Sequence, residues 1–143
     1  MAAPAGIWLE DDPGIDYFAT PMEELRGILF AEPNSDAAKS VLPEPADDLE
    51  RGTQILERVR SLATVGRFLW PIPDKGLKKR MPRITAPTLV VIGEQDRIVP
   101  ASYGDEYANG IAGASVQIIA GAGHMLMIER PGEFAEAVTG FLQ

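Results

Sequence analysis

The chain has 143 residues, 45% of them hydrophobic, which is enough apolar material for one ordinary domain with a buried core. A formal charge of -8 and a sequence pI near 4.6 exclude a phosphate-backbone binder, which needs clustered lysine and arginine. Cysteine is absent, which removes disulfides, thiolate metal sites and a thiol nucleophile together.

Met1 to Ile7 is small and apolar but has no basic n-region, so it does not read as a signal peptide. No apolar run reaches the roughly 20 residues that span a bilayer, and a soluble, cytoplasmic protein without a membrane or nucleic-acid partner is the expectation. The acidity is uneven: thirteen acidic and six basic residues precede Pro71, against eight and seven from there on. Thr20, Pro21 and Glu23 have the spacing of a capping box and predict a helix over Pro21 to Ala31. A shorter helix is expected over Ser35 to Val41, stopped by Pro43 and Pro45. Asp47 and Glu50 repeat the cap ahead of Leu49, Leu56, Val59, Leu62 and Val65, an apolar stripe that predicts an amphipathic helix ending near Trp70.

Beyond the basic stretch Lys78, Lys79, Arg80 and Arg83, which reads as a solvated linker, the pattern changes. Thr88 to Ile92 is a continuous, mostly β-branched run without alternation, as a parallel strand covered on both faces requires. Pro100 opens a helix with Tyr103, Tyr107 and Ile111 four apart; Val116 to Ile119 is a second strand, and Pro131 starts a last helix using Phe134, Val138 and Phe141. The fold class is α/β: two parallel strands with flanking helices in 75–143, preceded by a mostly helical segment in 1–74. Two strands leave apolar faces and an open edge, so the chain reads as incomplete.

In open α/β sheets, functional residues gather in the loops after the carboxyl ends of the strands. Asp96 follows the first strand and His124 the second. A carboxylate on one imidazole nitrogen fixes the tautomer and stabilises the imidazolium that forms when the other nitrogen takes a proton. A lone histidine is more often structural, but its place at a strand end beside an acid favours chemistry. Glu94 is the fallback acid, its bland reading a solvated loop charge.

The run from Ala86 to Pro100, with Gly121 to Met125, resembles the C-terminal third of α/β-hydrolase-fold enzymes of the esterase, carbon-carbon bond hydrolase and haloperoxidase-like group. The likeness covers about Arg83 to Gln143. It implies Asp96 as the acid and His124 as the base of a catalytic triad, and no cofactor or metal. Glu129, Arg130, Pro131 and Phe134 match the start of the family's last helix and read as structural. Ile7 to Asp74, with Trp8 to Asp12 and Phe68 to Pro73, looks like the family's helical cap, which makes Phe68, Trp70, Ile72 and, beside the histidine, Met125 candidates to line a pocket for a small apolar substrate.

The family's order is nucleophile, acid, histidine, with the nucleophile in a G-x-S-x-G elbow. None of Ser35, Ser40, Ser61, Ser102 and Ser115 has those glycines, and the oxyanion-hole segment is missing as well. Serine-type hydrolysis with the nucleophile from elsewhere, and weak or no activity of the isolated chain, is therefore expected. The alternative is a non-catalytic unit that pairs with itself or a complementing chain through the open sheet edge and binds apolar ligands.

Overall fold

The computed structural model describes residues 1–69 and 76–143. The helical part contains α1 (Leu25–Leu29), α2 (Asp36–Val41) and α3 (Asp48–Leu69). The predicted Pro21 to Ala31 helix is shorter and composite: a 3-10 turn, Met22–Glu24, runs into α1, and Phe30 leaves it extended with φ −120 and ψ 141. Thr20 does not cap it. Its hydroxyl donates to Asp16 O at 2.8 Å, inside a turn in which Asp16 Oδ1 accepts from Phe18 N at 2.8 Å, and Pro21 occupies the cap position instead. The predicted Asp47 and Glu50 cap forms, and Ser35 caps α2. Ser35 Oγ accepts from Ala38 N at 3.2 Å, while Asp47 Oδ1 accepts from Glu50 N at 2.8 Å and Glu50 Oε2 from Ala46 N at 2.6 Å.

The apolar stripe of α3 has a different fate from the one its periodicity predicts. No residue of the helix is buried, and Leu49 is 80% and Phe68 74% exposed. Helical spacing specifies a face but not the surface that covers it. Arg58 ties α3 to the preceding chain: its guanidinium lies over the Tyr17 ring and donates to Tyr17 O at 3.0 Å and Thr20 O at 2.6 Å.

The second part runs β1 (Leu89–Gly93), α4 (Ser102–Gly110), β2 (Ser115–Ile119), α5 (Leu126–Glu129) and α6 (Pro131–Phe141). The strands pair in parallel with Leu89 opposite Ser115 and Gly93 opposite Ile119. All of β1 is buried, and its alternating side chains divide between two layers. Val90 and Ile92 pack with Ile7, Met81, Val99, Tyr103, Tyr107 and Ile111 on the α4 side. Leu89 and Val91 pack with Ile119, Ala122, Leu126 and Ala137 on the α6 side. Each aliphatic chain removed from water in this way stabilises by about 1.5–3 kcal/mol.

One feature of the sheet differs from the sequence reading. Met1 to Ala3 lies along the other edge of β1: Ala3 N donates to Val91 O and Val91 N to Met1 O, both at 2.8 Å, and Ala2 bridges Val91 in parallel. Tyr107 Oη anchors the next turn by donating to Pro4 O at 3.0 Å. β2 buries only Ile119, and nothing pairs with its outer edge among the described residues.

Candidate active site

The loops leaving β1 and β2 are stitched together by their backbones. Glu94 N donates to Ile119 O and Gln95 N to Ala122 O, both at 2.9 Å. This approach requires glycine at 93, where a Cβ would lie 2.3 Å from Gly123 O and 2.4 Å from Ala122 O. Gly121 turns the second loop with φ 62, a left-handed conformation that favours glycine.

Asp96 sits in a tight turn whose N–H donates to Gly93 O at 3.1 Å. Its side chain is fully buried, and Oδ1 accepts from Ile98 N at 2.9 Å and Val99 N at 2.8 Å. Oδ2 lies 2.9 Å from His124 Nδ1, with Oδ1 at 3.2 Å. An ionised carboxylate only accepts, so Nδ1 carries the proton and Nε2 is left with its lone pair. Among the described residues Nε2 makes no hydrogen bond, and the imidazole is 24% exposed. The arrangement sets a desolvated, backbone-anchored carboxylate against one imidazole nitrogen and leaves the other without a hydrogen-bond partner among the described residues.

Of the residues predicted from sequence, the structure brings Asp96 and His124 together. Glu94 is held elsewhere, Oε2 accepting from Gly121 N at 3.1 Å. Met125 packs against the cluster of Leu25, Ile28, Leu29, Phe30 and Ala38, between the helical part and the histidine. Phe68 is exposed at the end of α3, and Trp70 and Ile72 lie outside the described residues. Ser102 Oγ donates to Asp12 Oδ2 at 2.7 Å, Ser35 caps α2, and Ser115 begins β2 at the end away from His124. A cleft of about 480 Å³ lined by Gly27, Phe30, Ala31, Pro33 and 94–97 borders Asp96. No group of three metal-ligating side chains occurs among the described residues.

Glu129 is the residue that sequence reading underrated. Its Oε2 accepts from Gly123 N at 2.8 Å and its Oε1 from Ala31 N at 2.6 Å. The available signal was an acid five residues past the histidine, within the same turn of chain.

The family model described as the alpha/beta hydrolase family matches residues 1–137. The chain belongs to that family. A 2-hydroxy-6-oxononadienedioate/2-hydroxy-6-oxononatrienedioate hydrolase of Pseudomonas putida is 33% identical over 133 residues, 92% of this chain and 43% of its own length. A monoacylglycerol lipase of Xenopus laevis is 36% identical over 66 residues, 46% of this chain and 20% of its own. A thermophilic esterase of solved structure superposes with a TM-score of 0.65 at 27% identity, over 85% of this chain and 44% of that one. This alpha/beta hydrolase chain thus spans less than half the length of the relatives it matches. Among the described residues no helix is long and apolar enough to cross a membrane.

Proposed function

We propose that the chain supplies the acid and the base of a serine-type hydrolase acting on a small, largely apolar ester-like substrate. The observation that carries this reading is the 2.9 Å contact between His124 Nδ1 and the fully buried carboxylate of Asp96. His124 Nε2 takes the proton of an attacking hydroxyl, Asp96 stabilises the imidazolium, and the same nitrogen returns the proton to the leaving group. The hydroxyl comes from polypeptide outside these 143 residues, since no serine here has elbow surroundings. The lipase, esterase and carbon-carbon hydrolase relatives support the reaction class. In this reading α1 to α3 form the cap over the substrate, with Met125 at the boundary between cap and base.

The test is hydrolysis of a short p-nitrophenyl ester by the isolated chain and by His124→Ala. Without an oxyanion hole, turnover is expected about a hundredfold or more below that of a complete enzyme, and the alanine variant is expected to lose what remains. Turnover indifferent to His124 removes the reading.

A further inference from the structure

We propose that Glu129 is a positioning residue for His124, its carboxylate locking the histidine loop onto the end of α1 in the helical part. The proposal rests on His124 acting as the base, but its geometry stands separately. Glu129 closes α5, and its own N–H donates to Met125 O at 3.0 Å while its Oε2 accepts from Gly123 N at 2.8 Å. One residue therefore fixes the backbone on both sides of the imidazole. Its second oxygen reaches Ala31 N, 98 positions away along the chain, at 2.6 Å.

The two segments joined by this carboxylate are also in direct backbone contact. Met125 N donates to Leu29 O at 3.1 Å, and a Cβ on buried Gly123 would come within 2.7 Å of Ala31 N. The side chain thus bridges a crossing of Leu29 to Ala31 over the loop 123–125. Its acceptors serve the crossing and not the first turn of α6, which distinguishes it from a helix cap. A displacement of the α1 end, such as a cap would make around a substrate, is passed to the imidazole through these bonds.

Chemistry makes the claim testable with a near-isosteric change. A carboxylate accepts through both oxygens, whereas an amide accepts through one and presents an NH₂ where the second donor points. Glu129→Gln can therefore keep Gly123 N or Ala31 N, and not both.

The experiment is nitrogen-labelled NMR on the full chain, wild type against Glu129→Ala and Glu129→Gln, with exposed Glu133→Ala as control. It reads amide exchange at Ala31 and Gly123 and the low-field Nδ1 proton of His124. In Glu129→Ala both amides are expected to exchange about tenfold faster or more, and the Nδ1 proton to be lost to solvent exchange, with Val90 and Ile92 protected as before. Glu129→Gln is expected to keep one of the two amides protected; it decides the matter if the alanine chain does not fold.

An unchanged Nδ1 proton beside a deprotected Gly123 would overturn the proposal, as would equal acceleration at Val90 and Ile92, which reports general stability. If the amide and imidazole results come out as expected while His124→Ala leaves ester hydrolysis unchanged, the catalytic reading fails and the positioning survives.

Discussion

Replacing Asp96 by alanine and by asparagine separates its two duties. The side chain satisfies Ile98 N and Val99 N through Oδ1 and faces His124 through Oδ2. Alanine strands both amides. Val99 is 1% exposed, so its N–H pays the full cost of an unmet buried donor, about 1–3 kcal/mol, while half-buried Ile98 recovers part of its loss from water. Together they set an expected destabilisation of about 2–4 kcal/mol. Asparagine retains Oδ1 for both amides but turns an NH₂ toward Nδ1. The expected loss is then within about 1.5 kcal/mol, and the imidazole changes tautomer to carry its proton on Nε2. Urea unfolding followed by circular dichroism at constant slope gives the first quantity, and the imidazole nitrogen shifts give the second. An Asp96→Ala chain within about 0.5 kcal/mol of wild type would refute the account of the turn.

Three further outcomes follow from the same structure. Gly93→Ala forces a Cβ into two backbone carbonyls that cannot swing aside, so a loss of about 3 kcal/mol or more and a lengthened Asp96 to His124 contact are expected, whereas Gly132→Ala, with open space around it in α6, is expected to be neutral or stabilising; thermal unfolding of the pair checks both. Burial, reinforced by Tyr103, pushes the Tyr107 phenol up to about 12. Because the folded value lies above the ordinary value of 10.0, this contribution to stability is full below that pH and declines as pH rises towards about 12; Tyr107→Phe is expected to lose that part of the alkaline slope in denaturation curves, and an unaltered slope would count against it. Leu49→Ser and Val59→Ser, at two exposed positions of α3, are expected to change stability by no more than about 0.5 kcal/mol in urea unfolding, and a larger loss would mean that this face of α3 is packed after all.

What the sequence disclosed, and what it withheld, divides along physical lines. The run Thr88 to Ile92 announced a strand covered on both faces because β-branched residues without alternation need apolar neighbours on either side, and β1 has them. β2 lacks such cover: among the described residues it pairs on one side only, and Ile118 is exposed. Asp96 and His124 were legible because two loops after adjacent parallel strands must emerge together. Met1 to Ala3 was not, since three residues are too few to carry strand periodicity and pair only because the β1 edge is there to receive them. The Thr20 cap was misread because a hydroxyl takes whichever acceptor the local turn offers, and Asp16 offered one. Glu129 was read as structural, but its partners were not legible, because both are backbone amides and Ala31 is distant in sequence; neither leaves a mark in residue type.

The central claim is that Asp96 and His124 are a working acid and base awaiting a nucleophile. It is tested most directly by grafting this chain in place of the matching portion of the thermophilic esterase, which it covers over 44% of that chain, so that the host supplies the remaining catalytic parts. A folded chimera is predicted to hydrolyse a short p-nitrophenyl ester and to lose about a thousandfold or more of that rate with His124→Ala. A folded chimera whose rate is the same with and without the imidazole would contradict the account.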